Sequence, residues 1–207
     1  PDQYPSKTNG GDKMKFSDLV LKNRSMRAYD ESRRITEEEL VSLVGLARLS
    51  PSASNRQPLK YFLSCDDETN AIIQPLTGWA GLLPELRLPP VGHRPTAFIV
   101  ILVDKAIAPN NAHVDKDVGI AAQTMLLGAT EMGLSGCMIG SFRPELKAAL
   151  DLPEELEIAL VIALGKGEER IEIVDAVESV KYYRDEAGNH YVPKRTLDEL
   201  IVKRYTK

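Results

Sequence analysis

Two cysteines in 207 residues leave little room for disulfide or thiolate chemistry. Cys65 and Cys137 lie far apart and neither belongs to a CxxC pair, so a metal cage or a thioredoxin-like site is unsupported and both read as reduced structural thiols. Histidine is almost as scarce: His93, His113 and His190 are isolated, without the HxxxH spacing of a metal site, and the chain has no GxSxG elbow for a nucleophile. All three histidines read as surface or loop residues. Long apolar runs are missing too. The longest, Ala97 to Val103 and Ile158 to Leu164, have strand length and fall far short of the roughly 18 apolar residues a membrane span needs. Nor is one sign of charge in excess: 26 Lys and Arg stand against 30 Asp and Glu, scattered along the chain, which leaves no basic footprint for nucleic acid. Residues 1–13 lack an apolar signal core. They read either as a flexible leader ahead of Met14 or as the remainder below a longer signal removed upstream. A cytoplasmic location is the default, with export left open.

What is present is a globular composition, 43% hydrophobic and 27% charged. A chain of this length buries about 70% of its unfolded surface, so its core needs no disulfide or structural metal. One domain over residues 14–207 is expected.

The pattern along the chain predicts a mixture of helices and strands. Phe16 to Lys22 reads as a short helix with Ser17 as N-cap. Thr36 and Glu39 form a capping box for a helix carrying Leu40, Val44 and Ala47, which ends at Ser50-Pro51. Strands are expected at Leu59 to Ser64, Ala97 to Val103 and Ile158 to Leu164. Between the first two, Thr77 to Pro95 is too rich in Gly and Pro for regular structure; its Trp79, Leu82, Leu83 and Leu86 either cover a flat substrate or pin the loop to the core. Asp117 to Met132 is apolar nearly all round and reads as a central buried helix closed by Gly133. A short strand or turn at Ser135 to Phe142 and a short helix at Pro144 to Leu150 come next. Val180 to Val192 reads as a hairpin about Asp185 to Asn189, and Leu197 to Val202 as either strand or helix. Gly165-Lys166-Gly167 lacks the spacing of a phosphate loop and reads as a strand-ending turn. Glu37-Glu38-Glu39 sit where the helix dipole favours negative charge, which is helix chemistry rather than acid catalysis.

Two segments carry chemistry. Arg24 and Arg27, with Ser25 between them, bring two guanidinium groups and a hydroxyl within one turn, suited to a phosphate or an electron-rich ring edge. Ser50 to Pro58 is a rigid loop of small hydroxyls, an amide and prolines whose backbone can approach a flat ligand.

Together these segments, Arg24-Ser25-x-Arg27 and Pro51-Ser52-Ala53-x-Asn55-x-Gln57-Pro58, resemble the paired signature of the nitroreductase-like flavoprotein family. The resemblance continues through Asp117-x-Gly119-x-Ala121-x-Gln123, Gly133-Leu134-x-Gly136-Cys137-Met138-Ile139-Gly140-Ser141-Phe142 and Pro193-Lys194-Arg195. Asn23 stands where many members carry another arginine, Met138 where many carry tryptophan, and Leu59 where an aromatic often follows Gln-Pro.

The resemblance implies an α+β fold: a central, mostly antiparallel sheet flanked by helices, a buried central helix, and a C-terminal extension exchanged in a homodimer. It implies bound FMN, with NADH or NADPH as hydride donor and a ping-pong transfer through flavin N5 to a small acceptor such as a nitroaromatic or quinone. Arg24, Ser25 and Arg27 would hold the flavin's phosphate and pyrimidine edge, with Arg27 stabilising charge on the reduced ring. Pro51, Ser52, Ala53 and Asn55 would reach the partner subunit's flavin. Ile139 and Gly140 would present backbone near the ring, and Lys194 or Arg195 would complete the phosphate site. Other reactions on the same fold, reductive dehalogenation or flavin fragmentation, and a flavin-binding protein without turnover are the alternatives.

Overall fold

Local signals start most of the elements of this computed structural model, which describes residues 14–83, 85–109 and 113–205. The expected leader, residues 1–13, lies outside the described residues. Helix α1 (Phe16–Lys22) begins after Lys15, so Ser17 is inside the helix rather than its cap. An extended segment leads to β1 (Tyr29–Asp30) and then to α2 (Glu37–Arg48), where Thr36 Oγ1 accepts from Glu39 N and the Glu39 carboxylate accepts from Thr36 N. That capping box is the one the sequence predicts. Strand β2 (Leu59–Ser64) is followed by an unforeseen helix, α3 (Asp67–Ile73), capped by Asp66 accepting from Thr69 N at 2.7 Å. After the long loop come β3 (Ala97–Asp104), α4 (Val114–Glu131), β4 (Ser135–Ile139), α5 (Glu145–Ala149) and β5 (Leu156–Gly167). The C-terminal part adds β6 (Ile171–Asp175), β7 (Tyr183–Arg184), β8 (His190–Lys194) and α6 (Leu197–Leu200), so the tail left open between strand and helix is helical over those four residues.

The main sheet runs β1-β5-β3-β2 with β4 also on β5, and every pairing is antiparallel. Successive side chains of a strand point to opposite faces. On one face Ile99, Ile101, Ile162 and Leu164 pack against α2 and α4 through Leu40, Leu43, Ala122 and Met125. On the other, Phe98, Val100, Val161 and Ala163 meet Ile73 of α3 and Leu146 of α5. With both faces covered, β3 is buried at every position before Asp104, which is why its sequence is a continuous apolar run rather than an alternation. Helix α4 is buried along one side only; Gly119, Ile120 and Gln123 open to the other. No helix among the described residues is long and apolar enough to cross a membrane.

Two further expectations need correction. Gly165-Lys166-Gly167 is not a turn: β5 runs through it and pairs with both β1 and β4. A Cβ on Gly165 would lie 2.7 Å from the Tyr29 ring and one on Gly167 2.6 Å from Met26, so the glycines let the N-terminal segment cross the strand closely. The second concerns His190, a surface or loop residue by expectation, which is 1% exposed and sits on β8.

The smaller sheet is β6-β8-β7, with β6 parallel and β7 antiparallel to β8. Its hairpin turns at Asp185 to Asn189, where Gly188 has φ +83 and Asp185 accepts from Asn189 N at 2.8 Å.

Candidate functional site

Past α1 the chain runs alongside β4: Ser25 bridges Gly136, and Met26 N donates to Gly136 O at 3.0 Å. Extended geometry sends Met26 into the core and leaves Ser25 and Arg27 on the other side. Asn23 clips this segment to α4, its Nδ2 donating to Leu126 O and Thr130 Oγ1, both at 3.1 Å. The asparagine that departs from the family pattern is therefore a structural clamp here.

Arg24, Ser25 and Arg27 form one wall of a cavity of about 360 Å³, within the usual size of a small-molecule site. Gln123 and Leu126 of α4, with Gly136 and Met138 of β4, form the second wall. The third comes from the C-terminal segment: Ile171, Tyr182 and then His190, Val192 and Lys194, alternate residues on one face of β8. The signature arginines and Lys194 thus converge from positions 170 residues apart in sequence.

The electrostatics around Arg27 are distinctive. Its guanidinium lies 5.3 Å from the centroid of the Tyr182 ring, a cation–π contact, while its backbone N donates to the Glu169 carboxylate. Glu169 also pairs with Arg184. Tyr182 and His190 place their ring centroids 5.3 Å apart. Burial, then the nearby Arg27 and Arg184 charges, pull the His190 pKa down to about 4, so its ring is neutral at neutral pH. Two nitrogens at this wall, Arg27 Nε and His190 Nδ1, are buried with no hydrogen-bond partner among the described residues. Arg24 differs: its Nη2 donates to Val20 O at 2.8 Å, back onto α1, and partial burial lowers its pKa. Cys137, turned away from the cavity by the alternation of β4, is buried, and that burial raises its thiol pKa and keeps it protonated.

Not every expected residue lies here. Ile139 points into the core and Gly140 sits exposed beyond the strand; by the two-residue period of β4 it is Gly136 and Met138 that face the cavity. Arg195 lies off the cavity and pairs with Glu199 of α6 at 3.2 Å. Pro51 and Ser52 line a separate cavity of about 310 Å³ between α2, β2 and α4. Their loop, with Ala53 and Asn55, is held by a residue to which the sequence assigned no role. Asp117, 5% exposed on α4, accepts from Ser52 Oγ at 2.6 Å and from Ala53 N at 3.0 Å. The loop also contains three left-handed non-glycine residues, Ser54, Asn55 and Gln57, so the anchor holds a backbone that L residues disfavour. Asp117→Ala removes two bonds to a charged acceptor, each worth about 1.5–3 kcal/mol, and should speed tryptic cleavage after the exposed Arg56 at least about tenfold. Unchanged cleavage, followed by mass spectrometry, would show that the loop needs no such anchor.

The sequence also passed over Tyr182 and His190. The signal that could have found His190 is the spacing His190-x-Val192-x-Lys194, which puts it on the strand face of an expected site residue. The long loop touches the same wall. Trp79 packs on the second core cluster and donates to Thr77 Oγ1 at 3.0 Å, which pins the base of the loop, while Leu82 N donates to the Tyr182 hydroxyl at 3.3 Å.

Comparison with known proteins agrees with this architecture. An oxygen-insensitive NADPH nitroreductase from Helicobacter pylori is 26% identical over 188 residues, covering 75% of this chain and 89% of the relative. A structure from Desulfovibrio desulfuricans, solved in complex with FMN, superposes with a TM-score of 0.68 at 21% identity, covering 92% of this chain and 97% of that one. An FMN-dependent nitroreductase from Clostridium difficile gives a TM-score of 0.58 at 22% identity, with 73% and 87% coverage. The family model described as "Nitroreductase family" matches residues 20–166, well over half of the chain, and the chain belongs to that family.

Proposed function

We propose that the protein is an FMN-dependent oxidoreductase that passes hydride from NADH or NADPH to a small acceptor such as a nitroaromatic or quinone, in a ping-pong cycle. The observation that carries the reading is the cavity in which Arg24, Ser25, Arg27 and Lys194 converge with Arg27 Nε left unpartnered. That donor set fits an anionic, flat cofactor: cations for a phosphate, a hydroxyl, and an apolar flank from Leu126 and Met138. FMN, when bound, supplies the hydride chemistry at its N5. Lys194 and Arg24 hold the phosphate, and Ser25 adds a hydrogen bond. Arg27 reaches the ring edge, where its fixed charge stabilises negative charge on the reduced cofactor. The relatives' names, an NADPH nitroreductase and FMN-dependent or FMN-bound proteins, support the same assignment.

The working unit we propose is a homodimer in which the Pro51 to Asn55 loop approaches the partner's cofactor and the open side of α4, with Ile120 41% exposed, forms part of the contact. β8 reaches the cavity of its own chain, so only the residues beyond Lys194, including Leu197 and Leu200 at 71% and 61% exposed, are left to cross between subunits. Such an interface should exceed about 2,000 Å². The reconstituted protein should be yellow, dimeric by light scattering at micromolar concentration, and should oxidise NADH or NADPH when a nitroaromatic or quinone is added. Tight FMN binding without acceptor reduction would leave a flavin-binding protein; failure to take up FMN would overturn the proposal.

A further inference from the structure

The second cavity, of about 310 Å³ beside the Pro51-Ser52 loop, shares no lining residue with the first. It exists because β2 is the end strand of the main sheet. On the face turned to α2 and α4 the central strands are sealed, with Ile99, Ile101, Ile162 and Leu164 at 0% exposure, whereas Leu59 and Tyr61 of β2 and Val44 of α2 stay half-buried and line the opening. Leu59 is the residue that stands where many members of the family carry an aromatic, and its shorter side chain leaves room in this space. The volume is that of a small-molecule site rather than a packing defect.

The polar groups left free in the lining are donors. Arg48, the last residue of α2, takes part in none of the ion pairs among the described residues. Partial burial raises the pKa of the Tyr61 phenol and keeps its hydroxyl protonated. Asp117, the carboxylate in the lining, is already engaged by Ser52 Oγ and Ala53 N. We infer that this cavity is a second binding site, for a flat aromatic carboxylate whose rings lie against Val44, Leu59 and Ala121 and whose charge meets Arg48. Apolar walls with one cation suit such a ligand: ring burial supplies the affinity and the guanidinium selects the acid. The site stands whether or not the first cavity holds flavin. Because Pro51 and Ser52 line it, an occupant also braces the loop that carries the left-handed residues Ser54, Asn55 and Gln57.

The test is isothermal calorimetry of 2-naphthoate on the FMN-saturated protein, in which the first cavity is filled. The wild type should bind it with a dissociation constant of about 0.1–1 mM, ordinary for a ligand of this size. It should bind 2-naphthamide, which keeps the rings and loses the charge, about tenfold more weakly. Leu59→Trp, which fills the cavity, should weaken 2-naphthoate at least about tenfold with FMN affinity unchanged, and Arg48→Gln should bind acid and amide alike. At about ten times its dissociation constant, 2-naphthoate should slow tryptic cleavage after Arg56 about tenfold in the wild type and leave Leu59→Trp unaffected, since an occupant opposes opening of the loop that lines its site. No binding by the wild type, binding that ignores Leu59→Trp, or cleavage unchanged by the acid overturns the inference and leaves the flavin reading untouched. If Leu59→Trp does not fold, the preference for the acid and its loss in Arg48→Gln decide alone: acid and amide bound equally by the wild type, or a preference kept in Arg48→Gln, overturns the inference. A protein that takes up no FMN overturns the flavin reading alone, and the same titrations on the free protein then decide this site.

Discussion

Arg27→Ala should lose FMN on dialysis and purify colourless, with its dissociation constant for FMN raised about 10- to 100-fold and its fold intact. The magnitude follows from losing one charge-assisted bond to an anionic or carbonyl oxygen, worth about 1.5–3 kcal/mol. The fold should survive because the backbone N of Arg27, which holds Glu169, is unchanged by the substitution, and the cation–π contact with Tyr182 is worth only about 0.5–1 kcal/mol at a half-open site. Arg27→Lys should fall between, since lysine keeps the charge but not the planar fork. Arg24→Ala should weaken FMN less than Arg27→Ala, because part of the Arg24 donor set is committed to Val20 O and Asn23 O. Fluorescence titration and thermal melting of the three variants separate these effects. FMN affinity equal to wild type in Arg27→Ala would remove the residue from the site.

Gly136→Ala should cost about 3 kcal/mol and lower the melting temperature by about 6–12 °C. A Cβ at this position would meet Leu126 Cδ2 at 2.5 Å, the Ala163 carbonyl oxygen at 2.7 Å and Leu164 Cδ2 at 2.9 Å. The leucine atoms can turn aside; the backbone oxygen of the neighbouring strand cannot do so without opening the β4–β5 pairing. The same shift would carry Ser25 and Met26 with it, since both lean on Gly136, so FMN affinity should fall along with stability. Gly140→Ala is the control: nothing lies within 4 Å of its added Cβ, and its stability should stay within about 0.5 kcal/mol of the wild type. Similar melting temperatures for the two variants would show that the sheet tolerates the methyl group.

The parts of the fold that were legible in the sequence are those written in local chemistry. Thr36 and Glu39 announce α2, Gly133 with φ +75 closes α4, and the runs around Val100 and Val161 could only be doubly covered strands. What was hidden depends on partners far along the chain. Helix α3 is seven residues long and buries only Asn70 and Ile73, too little for an apolar period. Strand β6 is short and alternates with charge, and its pairing with β8 is parallel, which no turn between them signals. The glycines of Gly165-Lys166-Gly167 looked like punctuation because the ring and thioether that need the space come from Tyr29 and Met26.

The candidate site divides in the same way. The signature residues Arg24, Ser25 and Arg27 could be named from two guanidinium groups around a hydroxyl and from the family resemblance, although they lie on an extended segment rather than within one turn, and Lys194 from the resemblance alone. The resemblance pointed to the backbone at Ile139 and Gly140, and the register of β4 adds the side chain of the neighbouring Met138 to the cavity. His190 has no local mark of burial, because what buries it is the packing of β8 against β6 and the Arg27 segment.

The parallel pairing of β6 with β8 has a consequence for how the protein is made. All five strands of the main sheet are contained in the chain by Gly167, but the third wall of the cavity is complete only at Lys194. At a synthesis rate of about 5–20 residues per second, those remaining residues take roughly one to five seconds to add. A chain that ends before β8 leaves Arg24 and Arg27 with neither His190 nor Lys194 opposite them. On the flavin reading proposed above, a chain cut within the β6–β8 connection would keep every strand of the main sheet and still lack one wall of the cavity for its ligand.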